Sequence, residues 1–313
     1  RAATSLAPTG ECGLIIRLSS SSNPSMSSLR RLLLSSGRDI WLSSYSASAQ
    51  PACLFEGVRD RLSIYLLRKP HYSSYVRTTK FLKWFSEERG NLFQSHILYW
   101  ATEPIDFEFI PKIGCAIEDA IYRKGRKQES IVRFATSNGQ HVLYYHESPV
   151  HWHKAWPFIP YYFTEGTGVK RSVSIKELRF DQDSQLTAAL CIANSNLIYW
   201  FYNTVSDCRH LTIGTYSRLG FDLHLLNDEL IIDLTSLIRK LMEEYEANKQ
   251  RYRRVSKQTG RSEFDAYYPA KSKDLINTID KVLAQHYGFT DEELDFIINY
   301  DIKYRMGDEL GNE

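Results

Sequence analysis

The spacing of apolar positions changes character twice along the chain. Residues 13–18 (Gly-Leu-Ile-Ile-Arg-Leu) form an apolar run that predicts a buried strand. The Ser-rich stretch 19–25 predicts a polar connection. Over 26–35, Met26, Leu29, Leu32 and Leu33 fall at helical spacing, with Arg30 and Arg31 expected to face solvent. Two further strands are predicted at 40–45 and 62–67, the second ending in Arg68-Lys69-Pro70. Strand, helix, strand and strand fit the tail of an α/β sheet.

From 71 to 170 the pattern loosens. Apolar bursts at 97–100, 131–134 and 142–145 alternate with Gly, Asn and Pro, which predicts a smaller mixed domain of short strands. Residues 184–203 turn helical, with Leu186, Leu190, Leu197, Trp200 and Phe201 as candidate core. Leu234, Leu237, Ile238, Leu241, Met242 and Tyr245 then form one stripe, and residues 275–286 form another. Gly288 sits where a helix C-terminal glycine belongs, and Thr290 with Glu293 is a capping-box signature. Between the two stripes, residues 249–273 are rich in Lys and Arg. The expected division is 1–70, 71–222 and a helical region 223–313, with no repeat at a fixed period.

Composition narrows the classes. A chain of 313 residues, 43% hydrophobic and 13% aromatic, can bury about two cores. The 39 basic and 37 acidic side chains leave a net charge of +2, so a nucleic-acid surface must come from local clustering. Five scattered cysteines suit a reduced cytosolic protein, and no apolar run approaches the length of a membrane span. The chain opens on Arg1-Ala2-Ala3 without an initiator Met, and it reads as the later part of a longer protein. There is no Gly-rich nucleotide loop, Walker motif or G-x-S-x-G elbow. His151-x-His153 lacks the further ligands a metal needs. Ser22-Asn23-Pro24-Ser25 lacks the second proline and the aromatic of an Asn-Pro-Pro-aromatic amine-binding loop.

Three stretches nonetheless resemble one family. Cys12-Gly-Leu-Ile-Ile followed by Ser28-Leu29-Arg30-Arg31-Leu32-Leu33 looks like the strand and helix that follow the catalytic loop of adenine-specific DNA methyltransferases, although Arg17 replaces the usual Pro. Pro51-Ala52-Cys53-Leu54-Phe55-Glu56-Gly57-Val58, running into Arg61-Leu62-Ser63-Ile64, is similar to that family's late catalytic motif. Residues 193–201, 206–211 and 280–305 resemble the target-recognition and C-terminal regions of type IIG restriction-modification enzymes.

The resemblance implies a partial S-adenosylmethionine-dependent methyltransferase sheet, then a mixed α/β target-recognition domain and a helical tail. It also implies a double-stranded DNA partner and methylation of an adenine amino group. The cofactor strand and catalytic loop are then expected before residue 1 or on a separate catalytic subunit, so that this portion alone would not methylate. Phe55 takes the place of the aromatic that packs on an adenine swung out of the duplex; the alternative is a core residue at a strand entrance. Ser172, Asn194, Ser195, Asn196, Arg209 and His210 are candidate DNA contacts, with Arg251, Arg253 and Arg254 on phosphates. The competing readings are a cap or turn for 194–196 and a solvated helix face for 251–254. For Tyr161-Tyr162-Phe163, Trp152 and Trp156 the choice is between base stacking and core. Two other functions stay open: a free-standing DNA-specificity or DNA-binding subunit, and an inactive remnant.

Overall fold

A computed structural model describes residues 10–47, 53–69, 74–95, 97–101, 107–225, 227–257 and 260–306. They form a mixed α/β protein, and contacts divide the chain into two units, residues 1–123 with 201–209 and residues 124–200 with 210–313. No helix among the described residues is long and apolar enough to cross a membrane.

The first unit is built on β1 (Cys12–Arg17), β2 (Asp39–Tyr45), β3 (Leu62–Arg68), β4 (Val76–Leu82) and β5 (Trp100–Ala101), in the spatial order β1-β3-β2-β4-β5. β3 lies antiparallel between β1 and β2, and β2 runs parallel to β4, so β1, β2 and β4 share one direction. Parallel strands need a crossover, which α1 (Ser19–Ser22) and α2 (Ser27–Leu34) supply between β1 and β2. On one sheet face Leu42, Tyr65 and Leu67 pack with Leu33 of α2 and Ile110. The opposite face leaves Ile15 and Leu66 about half exposed. β1 is therefore an alternating edge strand rather than the buried strand expected from its composition.

The segment 19–25 also departs from expectation. Ser20, Ser21 and Ser22 form a buried helical turn, with the Ser20 hydroxyl 3.1 Å from that of Tyr65. Arg30, expected outside, is fully buried, while Met26 and Leu32 are exposed. The Arg30 guanidinium donates to the carbonyls of Phe107 (3.0 Å), Ser20 (3.1 Å), Asn23 (2.8 Å) and Glu108. It satisfies these carbonyls, the Ser20 one buried and the other three partly buried, a requirement that periodicity does not reveal. α3 (Leu92–Ser95) adds Leu92 to a second apolar cluster with Tyr45, Leu62 and Trp84. The chain passes between the units within α4 (Ala116–Gly125) and again within α6 (Asn196–Val205).

The second unit contains a sheet of β6 (His141–His146), β7 (Ala155–Trp156) and β10 (Ile175–Phe180), and another of β8 (Tyr162–Thr164), β9 (Gly168–Val169), β11 (Gln250–Ser256) and β12 (Gly260–Ala266). Its helices are α5 (Asp183–Ala193), the start of α6, α7 (Ile213–Tyr216), α8 (Asp228–Asn248), α9 (Lys273–Tyr287), α10 (Asp291–Asn299) and α11 (Ile302–Arg305). The expected helices at 184–203, 234–245 and 275–286 are present, the first broken in two at Asn194-Ser195. Gly288 adopts φ +64 at the end of α9, and Thr290 and Glu293 make the reciprocal capping box of α10. Ile131–Phe134, expected as strand, is one turn of 3-10 helix. The first sheet continues past residue 70 through β4, and β12 pairs with β8, so sheets run across both boundaries drawn from sequence.

Replacing Arg30 with Met keeps the aliphatic bulk but leaves four carbonyls without their donor. Urea unfolding of Arg30→Met beside the parent should show a loss of about 3 kcal/mol, from charged hydrogen bonds worth roughly 1.5–3 kcal/mol each and only partly replaced by water. An unchanged midpoint would show that the guanidinium is not what holds the 107–108 segment.

Candidate nucleic-acid interface

The basic stretch that begins at residue 249 is a β-hairpin rather than a helix face. β11 and β12 pair antiparallel from Gln250 opposite Ala266 to Ser256 opposite Gly260, and Gly260 takes φ +66 where the chain enters β12. Gly there avoids the steric cost of a left-handed backbone. β12 continues to β8 through Ser262–Thr164, Glu263–Phe163 and Phe264–Tyr162, while β11 is an edge whose residues 250–255 are all exposed. The product is an exposed edge ribbon, the β11–β12 hairpin of a four-stranded sheet in the order β11-β12-β8-β9.

Strand alternation sorts the ribbon's side chains onto two faces. One face carries Arg251, Arg253, Arg261, Glu263 and Asp265, with Phe163 of β8 on the same face. Arg251 donates Nε and Nη2 to the two oxygens of Asp265 at 2.7 and 3.0 Å, and its guanidinium lies 3.7 Å from the centre of the Tyr161 ring. Arg253 meets Glu263 through Nε and Nη2, both at 2.9 Å, and Arg261 lies over Phe163 at 5.4 Å. Burial pushes the Asp265 carboxyl upward, but its bonds to Arg251 and Lys249 prevail and hold it below the usual range. The other face carries Tyr252 stacked on Phe264 at 5.8 Å, together with Arg254. The Arg254 guanidinium has no partner among the described residues.

Beside the ribbon the same unit is concave. Ser172, whose hydroxyl accepts from the Ser174 N–H, lines two hollows. One, of about 240 Å³, is walled by His146, Lys154, Trp156, Tyr161 and Tyr162; the other, of about 740 Å³, by Tyr145, Arg171, Lys176 and Thr212. Burial and the neighbouring Lys154 charge hold His146 below its ordinary pKa.

No family model matches the chain, and no curated protein is significantly similar to it.

The structure redistributes the candidates drawn from sequence. Asn194, Ser195 and Asn196 are buried and are corrected from DNA contacts to structural groups. The Asn194 amide bonds both the N–H and the carbonyl of Ala155 and accepts from the Tyr245 hydroxyl. Ser195 caps the turn by accepting from Ile198 N, and Asn196 binds Asp280. Arg209 and His210 are exposed, His210 lying 3.3 Å from the Ser148 hydroxyl. Arg251, Arg253 and Arg254 come together on the ribbon, with Ser172 in the same unit. Phe55 is exposed at a Phe55-Glu56-Gly57-Val58 turn, closed by Val58 N donating to the Phe55 carbonyl at 3.1 Å, and is not the core residue of the competing reading. Trp152 and Trp156 are buried, as the core reading has it.

Sequence reasoning missed the carboxylates that hold the arginines. Their signal was the mirror relation of Arg251-x-Arg253 to Glu263-x-Asp265 about a Gly-containing turn, visible once a hairpin is assumed.

Among the described residues, no cluster of three or more metal-ligating side chains is present, and His153 serves otherwise. Burial, then the nearby Arg305 charge, pushes its pKa down to about 3, and burial lowers His286 to about 4. Both bind protons in the unfolded chain from pH 6.5 downward but resist them when folded, so stability is lost as pH falls below 6.5. Asp280, raised to about 6 by burial, opposes this, gaining stability as pH falls through 6. With His286 discounted for its partial exposure, the net loss from pH 7 to pH 4 is on the order of 2–3 kcal/mol. Urea midpoints across this range should decline with acid, and His153→Leu should flatten the decline. A variant with the parent's slope would show that His153 does not govern it.

Proposed function

We propose that this chain recognises a specific site in double-stranded DNA and helps position an adenine for S-adenosylmethionine-dependent methylation of its amino group, in a restriction-modification system. The ribbon carries the reading: an exposed hairpin at a sheet edge with four arginines, interleaved with aromatic rings, on a chain whose overall charge is only +2. The first unit adds support. Three of its strands share one direction with a helical crossover, as in doubly wound sheets that carry added antiparallel strands. Phe55 lies on the connection leaving the carboxyl end of β2, the side on which such sheets bind their ligands. An exposed ring there suits stacking on an extrahelical base.

The reading does not place S-adenosylmethionine in the hollow on the first sheet. The hollow on the first sheet, about 400 Å³ and lined by Cys12, Gly13, Trp41 and Leu66, opens at the amino ends of β1 and β2, away from the ligand side. Methyl transfer is therefore assigned to polypeptide that bears the cofactor site, whether continuous with this chain or a separate subunit. A second reading, a DNA-binding subunit without its own catalysis, is favoured by the ribbon and Ser172 lying within one unit.

A salt-titrated selection of this chain against random duplexes tests the reading. Enrichment of one short adenine-containing site, with affinity falling as salt rises, is expected. Salt-sensitive binding without enrichment would reduce the ribbon to a generic basic surface, and no binding by a folded sample would overturn recognition. With 2-aminopurine at the target adenine, fluorescence should rise on binding by the parent and not by Phe55→Ala. Because Phe55 is exposed, that variant should keep the parent's stability within about 0.5 kcal/mol.

A further inference from the structure

The ribbon's hydrogen bonds leave a specific set of donors free. Arg251 and Arg253 both engage their carboxylates through the Nε–Nη2 side of the guanidinium. Nη1 of each has no partner among the described residues, so the outward Nη1–Nη2 end of the fork stays open. The carboxylates are sheltered, Asp265 at 3% and Glu263 at 15% side-chain exposure, while Arg251 and Arg253 stand at 51% and 65%. Each arginine is thus held from beneath and presented end-on, with Arg251 further fixed against Tyr161.

We infer that Arg251 and Arg253 are base-reading forks that contact two guanines in the major groove of duplex DNA. This rests on the proposed recognition of DNA and names how the ribbon performs it. Three features support it. Residues two apart on a strand are separated by about 6.8 Å, which matches two base-pair steps of about 3.4 Å. The free end of a guanidinium matches the O6 and N7 acceptors of guanine as a bidentate pair. Holding the rotamers in advance lowers the ordering cost of binding, which improves discrimination. Arg254, on the opposite face and without an acid beneath it, is left for phosphate.

The test uses the full chain. Sites selected from random duplexes should contain two guanines two base-pair steps apart. Arg253→Ala should lose the preference at one and Arg251→Ala at the other, each weakening the selected site by roughly ten- to a hundredfold. In the parent protein, 7-deazaguanine at either position, which lacks N7 but keeps Watson–Crick pairing, should reproduce the loss without any mutation. Arg254→Ala should weaken all duplexes alike and leave the preferences intact. Guanine preferences that survive both arginine substitutions, or indifference to 7-deazaguanine, would overturn the fork while leaving DNA recognition standing. A folded chain that binds no duplex would overturn recognition and this inference together.

Discussion

A buried carboxylate organises the second unit. Asp280 of α9 is almost wholly removed from solvent, yet it accepts from the Asn196 N–H (3.0 Å), the Asn196 side-chain amide (2.7 Å) and the Leu197 N–H (3.1 Å). These are the first donors of α6, which begins inside the protein where water cannot satisfy them. Burial of the acid is unfavourable and lifts its pKa to about 6, and the bonds at a helix N-terminus offset only part of that penalty. Two residues earlier, Asn194 fastens β7 through both backbone groups of Ala155 and reaches Tyr245 of α8. One break in a helical stretch therefore ties together β7, α5, α6, α8 and α9. The polar residues of 194–196 are buried, out of reach of a base.

Arg305 extends the same core from the other end. Its guanidinium is sandwiched by Trp152 at 3.8 Å and Tyr199 at 4.3 Å, and it donates to the His151 carbonyl at 3.0 Å. A buried cation needs such aromatic faces and carbonyls in place of water. The neighbouring His153 stays neutral for this reason as well as for its burial. The stretch His151 to His153, suggestive of metal chemistry in the sequence, belongs to this packing.

Legibility followed the physical range of the signal. Helices with long apolar stripes, such as α8 and α9, and caps written in adjacent residues, Gly288 and Thr290 with Glu293, are local and were readable. β2 and β3 were readable as strands, but β1's place at an edge was not, because edge and centre differ in partners rather than in composition. Arg30 and Asn194 carry the residue types of a surface and are buried because distant backbone needs their donors. The basic segment after 249 was legible as charge but not as shape. Its hairpin depends on cross-strand pairing with acids about ten and fourteen residues on, and on a third strand, β8, about a hundred residues earlier. Phe55, singled out by resemblance, is exposed on its turn.

The two charge arrangements in this unit obey opposite requirements. At Asp280 the acid is surrounded by donors and exists to fix backbone, so altering it alters the fold. On the ribbon the acids lie beneath the cations, and what they fix is only the direction in which a guanidinium points. Cross-strand pairs on an exposed edge contribute little to stability, since surface ion pairs are worth roughly 0–1 kcal/mol. The Arg253–Glu263 pair is therefore exchangeable at small structural cost, whereas Asp265, its side chain 3% exposed, is tied to both Arg251 and Lys249 and is not. The buried cap at Asp280 thus holds backbone that water cannot reach, while the outer pair on the ribbon orients a guanidinium that water surrounds.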